Sequence, residues 1–165
     1  MRRKAPSAKT STAHGDLRLL RRARIALIRA EYNPEITHNL EEKCLQGLKE
    51  AGVAETQIDS YSVPGCFEIP LLAQRLAARR HHDALIALGA IIRGETLHFD
   101  LVARECARGV MEVSLKYGIP VIFEVLATKN RRDALRRAAN DRLNKGFEAA
   151  QAAVVMLSVL DRLRH

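Results

Sequence analysis

The run Ala84-Leu85-Ile86-Ala87-Leu88-Gly89-Ala90-Ile91-Ile92, entered from Asp83, constrains the fold more than any other stretch of this chain. It is apolar without alternation, so neither face suits water, and a strand of that kind belongs in a parallel sheet covered on both sides by helices. It is also only about half as long as a helix that crosses a bilayer. The run is therefore expected at the middle of a sheet and not in a membrane.

The flanking segments repeat this logic. Arg24-Ile25-Ala26-Leu27-Ile28 reads as a buried strand that stops at Glu31-Tyr32-Asn33-Pro34. From Ile36 to Leu48 the apolar residues Ile36, Leu40, Cys44, Leu45 and Leu48 fall on one face of a helix, and Gly52 suits its C-terminus. Ile58 to Val63 is a second, weaker strand cut off by Pro64-Gly65, and Glu68 to Arg79 is helical, with Pro70 acceptable in the first turn. After the central run come a helix from Phe99 to Tyr117 closed by Gly118 and a fourth covered strand from Ile119 to Leu126. A short helix near Arg131 to Ala138 and a long one from about Leu143 to the end complete the pattern. Strand then helix, four times over, with one extra terminal helix, predicts an α/β fold: a flavodoxin-like, parallel four-stranded sheet between helical layers in a three-layer α/β/α sandwich. Ligands of such sheets bind beyond the carboxyl ends of the strands. The segments there are Glu31-Tyr32-Asn33, Pro64 to Glu68, Arg93 to His98 and Ala127-Thr128-Lys129.

A formal charge of +8 raises the question of nucleic acid. Residues 1–24 hold eight Lys or Arg against one acid, Asp16, and so account for +7, leaving +1 for the remaining 141 residues. A near-neutral body argues against nucleic-acid binding as the main function. The chain divides into a flexible basic tail, 1–22, and an α/β domain, 23–165. The tail reads as a solvated arm, with an interaction arm or an Arg-rich transit peptide as alternatives. Cys44, Cys66 and Cys106 are odd in number and never form a C-x-x-C pair, which argues against a disulfide framework or a zinc site and for a reducing, cytoplasmic setting.

Chemistry concentrates in three loops. In Arg93-Gly94-Glu95-Thr96-Leu97-His98 the glycine lets backbone approach a ligand, and the amides of Glu95 and Thr96 precede a predicted helix whose N-terminus favours an anion such as phosphate. His98 at that helix start is expected to be a neutral proton acceptor, because the positive dipole end disfavours imidazolium; a capping or structural histidine would look the same. In VPGCFEIP, residues 63–70, Phe67 can stack on a planar heterocycle and Glu68 can hydrogen-bond it, although an ordinary helix N-terminus uses these residue types too. Tyr32 is either a stacking ring or a half-buried aromatic. Cys66 has no histidine beside it and is not expected to be a nucleophile. The doublet His81-His82 follows Arg79-Arg80 at a helix end and reads as dipole-complementing structure. Lys129, Arg131, Arg132, Arg136 and Arg137 read as a solvated basic face, one member of which can clamp a phosphate.

Taken in order, VPGCFEIP, ALGAIIRGETLHFD, GIPVIFEVLAT and Asn144-Lys145-Gly146, with Tyr32-Asn33 ahead of them, resemble the lumazine synthase family from about Arg24 to Leu160. That resemblance implies a transferase needing no cofactor and no metal. It would condense 5-amino-6-(D-ribitylamino)uracil with 3,4-dihydroxy-2-butanone 4-phosphate to 6,7-dimethyl-8-ribityllumazine, the penultimate step of riboflavin biosynthesis. On this basis His98 is the acid/base, and Glu95, Thr96 and Arg137 hold the phosphate. Phe67 stacks on the pyrimidine, with Tyr32, Cys66, Glu68, Ala90, Ile91, Ile92 and Phe123 around it, and Asn33 and Lys145 are possible accessories. The resemblance also implies a homo-oligomer built from pentamers, with Phe123 and Arg137 supplied by a neighbouring chain, and riboflavin synthase as a candidate partner. Departures from the family pattern are Tyr32 for Phe, Cys66 for a smaller residue, Glu124 for Gly, and Asp141-Arg142-Leu143 ahead of Asn144. The reading from another class is a non-catalytic flavin-binding or regulatory flavodoxin-like module, which the fold alone permits.

Overall fold

A computed structural model describes residues 17–163. Its order is α1 (Leu17–Leu20), β1 (Ile25–Ala30), α2 (Pro34–Glu50), β2 (Ile58–Val63), α3 (Ile69–Ala78), β3 (Ala84–Ile92), α4 (His98–Tyr117), β4 (Val121–Thr128), α5 (Arg131–Arg137) and α6 (Lys145–Arg162). The strands form one parallel sheet in the order β2-β1-β3-β4. The apolar run is β3, and its first seven residues are buried because both neighbours and both helical layers enclose it.

Side chains alternate across the sheet, so each inner strand feeds two cores. Ile25 and Leu27 of β1 and Ile86, Leu88 and Ala90 of β3 pack with Leu40, Cys44 and Leu48 of α2 and Ala150, Ala153 and Leu157 of α6. Ala26 and Ile28, with Leu85 and Ala87, face the other way onto Ile69 and Ala73 of α3 and Cys106 and Val110 of α4. Each large aliphatic side chain buried there contributes about 1.5–3 kcal/mol. The expected three-layer, flavodoxin-like architecture is the one observed.

Three local differences have physical causes. Leu17–Leu20, expected within the flexible tail, is a helical turn whose Leu20 is 1% exposed, and Gln57 Nε2 donates to the carbonyls of Leu20 and Ala23 at 2.9 and 2.7 Å. The rest of the expected tail, 1–16, lies outside the described residues. The fourth strand starts at Val121, not Ile119, because Pro120 lacks an amide and serves only as an acceptor, from the Leu85 N–H at 2.9 Å. It is also an edge strand with Phe123 39% exposed, so within one chain it is covered less fully than its apolar sequence suggests.

The motif Asn144-Lys145-Gly146 has a structural role that its sequence did not disclose. Asn144 is fully buried, caps α6 by accepting from the Gly146 N–H at 2.7 Å, and donates to the Ala139 carbonyl at 2.8 Å. A Cβ on Gly146 would lie 1.9 Å from the Leu40 carbonyl oxygen, so only glycine lets α6 dock on α2.

Candidate active site

β1 and β3 are neighbours whose connections leave in opposite directions, one to β2 and the other to β4. Their loops therefore part at the carboxyl edge, where a crevice opens between them. A cleft of about 670 Å³ lies there, lined by Tyr32, Asn33, Gly65, Cys66, Phe67, Glu68, Ala90, Ile91, Ile92, His98, Leu101 and Val102. Nine of the residues picked out from the sequence meet in it. Leu101 and Val102 were missed, although helical spacing places positions three and four past His98 on its face.

Each wall has an identifiable origin. Asn33 adopts the left-handed conformation (φ 58°) that turns the chain from β1 into α2, and its Nδ2 donates to the Ala90 carbonyl at 2.9 Å. The Tyr32 loop is thereby tied to the end of β3. Asn tolerates this conformation better than most residues. Opposite, the chain passes from β2 through a 3-10 turn over Cys66–Glu68 into α3. At its entrance a Cβ on Gly65 would stand 3.1 Å from Glu68 Oε2 and 3.6 Å from the Tyr32 ring, so the carboxylate and the phenol converge there. Phe67, 58% exposed, and Tyr32, 73% exposed, present open aromatic surface at the mouth, and Ala90, Ile91 and Ile92 form an apolar floor.

Cys66 is buried on the inner wall. A Cβ on Gly89 would lie 2.5 Å from its sulfur, so glycine in the central strand makes room for it. Burial pushes the Cys66 thiol up to about 12, against an opposing backbone hydrogen bond at Ala90, and the thiol stays protonated. A protonated thiol packed against Gly89 is a poor nucleophile.

The loop after β3 is held at both ends. The Arg93 amide donates to the Thr128 carbonyl at 2.9 Å, its guanidinium pairs with Asp100 at 3.0 Å, and the same group lies 4.8 Å from the centre of the Phe99 ring. Gly94 to Leu97 bow outward between these anchors, and no atom of the described residues approaches within 4 Å of a Cβ built on Gly94. Thr96 Oγ1 accepts from the His98 N–H at 3.3 Å and so steadies the first turn of α4. His98 opens that helix with its ring exposed on the cleft.

The remaining expected site residues stand apart. Glu95 and Thr96 are exposed in the bowed loop and do not line the cleft. Phe123 sits on edge strand β4. Arg137 ends α5, exposed, and donates to the Asp133 carbonyl at 3.3 Å. Lys145 pairs with Glu148 at the start of α6. None of these three reaches the cleft within one chain.

Residues 22–161 match the family model described as 6,7-dimethyl-8-ribityllumazine synthase. The chain belongs to that family. A 6,7-dimethyl-8-ribityllumazine synthase of Stenotrophomonas maltophilia (strain R551-3) is 44% identical over 149 residues, covering 90% of this chain and 96% of the relative. One from Coxiella burnetii (strain CbuG_Q212) is 41% identical over 140 residues, 85% and 93% of the two chains. The matched span takes in all four strands and every residue that lines the cleft.

Two departures from the family pattern now have surroundings. Glu124 is half-buried on β4, and burial raises its carboxyl to about 7, with Lys145 opposing and Glu148 adding to the shift. Asp141 organises the turn before α6 by accepting from the Leu143 N–H at 2.8 Å, and Arg142 lies over the Phe147 ring at 5.9 Å.

Proposed function

We propose that this chain catalyses the condensation of 5-amino-6-(D-ribitylamino)uracil with 3,4-dihydroxy-2-butanone 4-phosphate to 6,7-dimethyl-8-ribityllumazine. The observation that carries the reading is a single cleft at the β1/β3 crevice that gathers two open aromatic rings, a carboxylate and a histidine over an apolar floor, in a chain of this family. The pyrimidine stacks on Phe67 with Tyr32 at its flank, and Glu68 accepts from its N–H groups. The butanone phosphate lies towards the bowed loop, its phosphate at Glu95, Thr96 and the positive end of the twenty-residue helix α4.

The 5-amino nitrogen attacks the ketone carbon and water leaves as the imine forms. Loss of phosphate follows deprotonation of the adjacent carbon. The enol left by phosphate loss takes a proton at its terminal carbon and becomes a methyl ketone; the ribityl-bearing nitrogen then closes the ring on that new carbonyl and a second water departs. Every step moves a proton, and His98 at the cleft wall is placed to accept and return it. Because the reaction joins two molecules, a large share of the acceleration comes from holding them in register.

Phe123 and Arg137 complete this site from a second chain. The support is that both are exposed away from their own cleft, and that Leu97, which precedes α4, and Leu101, Met111 and Leu115 on it fall along one exposed stripe. Single exposed apolar residues need no partner, but an aligned set suggests a covered face. A homo-oligomer built from pentamers, working in the cytoplasm, fits both features, and among the described residues no helix is long and apolar enough to cross a membrane. The test is to mix purified protein with both substrates and follow lumazine absorbance. Formation no faster than the spontaneous condensation would sink the reading.

A further inference from the structure

The opposite edge of the sheet, at the amino ends of the strands, carries a second constellation that takes no part in this chemistry. Asp59 comes from β2, Arg24 immediately precedes β1, and His81 and His82 lie between α3 and β3. β1 separates β2 from β3, so His82 reaches across its start to place Nε2 2.8 Å from Asp59 Oδ2. The turn that delivers the pair is special: Arg80 has φ 53°, in the left-handed region that favours glycine. His82 is consequently turned inward, 7% exposed, and its Nδ1 is buried without a hydrogen-bond partner among the described residues. The sequence reads this doublet as dipole-complementing structure; His82 is instead drawn in to Asp59. His81 stays exposed, its ring edge-on to that of His82 at 5.0 Å between centroids. One ligand atom from each of Asp59, His81 and His82 lies within 4.8 Å of the others.

We propose that Asp59, His81 and His82 form a binding site for one divalent transition-metal ion of the zinc type. Two imidazoles and one carboxylate are the donors such ions select, whereas magnesium and calcium favour oxygen alone. Ligand bonds of about 2.0–2.2 Å set the donors of a tetrahedral ion roughly 3.4 Å apart, so the His82 and Asp59 atoms, now 2.8 Å apart, open slightly while rotation of the exposed His81 side chain brings in the third donor. Asp59 Oδ2 already faces both His82 Nε2 and the Arg24 guanidinium. Arg24 is also the competitor, with NH2 3.1 Å from the same oxygen. An ion must displace the guanidinium or use the other carboxylate oxygen. The site joins β2 to the α3–β3 turn across β1, far from the cleft, so its occupancy should raise thermal stability and leave turnover unchanged.

The test is calorimetric titration of the full-length, chelator-treated protein with Zn²⁺, paired with visible absorption of Co²⁺. A single ion per chain is expected, with Co²⁺ bands from mixed nitrogen and oxygen ligation. His81→Ala removes an exposed donor without disturbing the core and should weaken binding on the order of tenfold or more, as should Asp59→Asn. Arg24→Gln should tighten it. His38→Ala, which removes an exposed histidine on α2, should leave it unchanged. Absence of zinc uptake by the wild-type protein at sub-millimolar concentration would overturn the proposal. So would wild-type affinity in both His81→Ala and Asp59→Asn.

Discussion

Cys66 and Gly89 fit one another: the sulfur occupies the space a side chain on β3 would take. Gly89→Ala should therefore drive the thiol towards the cleft and lower stability by about 1–3 kcal/mol. Urea unfolding of the double variant Gly89→Ala/Cys66→Ala should recover most of that loss; if it does not, the clash lies elsewhere, for instance at Val125, 3.3 Å away. Burial likewise raises the Cys44 thiol, and it holds Cys106 at about 12. All three thiols should stay unreactive towards a thiol reagent at pH 8 until the protein is denatured. His98 differs in that its ring is open to the cleft. His98→Ala should reduce kcat by about 10²-fold, the lower end for a lost proton-transfer group, while lumazine formation stays above the spontaneous rate. A variant as fast as wild type would move the acid/base role to another group.

At the scale of elements, β4 and α6 carry the pH dependence. The Glu124 carboxyl titrates near 7 in the folded chain against an ordinary value near 4.5. Between those values the folded chain keeps a proton that the unfolded chain has released. Its contribution to stability is therefore complete below about pH 4.5 and is lost as pH rises through 7. Glu124→Gln should leave the urea midpoint unchanged at pH 4.5 and raise it at pH 8. An equal shift at both pH values would show that titration is not the cause. The α6 start is set by Asn144, and Asn144→Ala takes the acceptor from the Gly146 amide and one of two donors from the Ala139 carbonyl, which keeps the Asp141 N–H. The expected cost is about 1–3 kcal/mol, read from the same denaturation curve. Gly146→Ala should fail to yield folded protein, because the atom it meets is backbone and no rotamer change removes it.

For the whole molecule, the decisive issue is whether one chain holds a complete site. If Arg137 serves a neighbour's cleft, His98→Ala and Arg137→Ala chains assembled together from denaturant should, at limiting butanone phosphate, show more activity than the average of the two variants alone. In a ring of randomly mixed chains roughly a quarter of the sites would combine an intact His98 with an intact Arg137. No gain over that average on mixing, with assembly confirmed by light scattering, would place both residues in one chain's site. Arg137→Ala alone should raise the KM for the butanone phosphate with little effect on that for the pyrimidine.

The parallel sheet and the position of β3 were legible in the sequence because an unalternating apolar strand can be satisfied only by cover on both faces. The cleft was legible for a related reason: residues following each strand in such a sheet must share one edge, so Tyr32, Phe67 and His98 converge although they lie far apart in the chain. Tertiary structure decided what depends on an exact partner. Gly146 is required by a carbonyl 106 positions earlier, at Leu40, and Cys66 is silenced by its burial against β3. His82 is turned inward by a left-handed residue that local patterning does not reveal. Periodicity reports which faces avoid water; close approaches, buried titrations and cross-sheet hydrogen bonds depend on distances set only when the elements have packed.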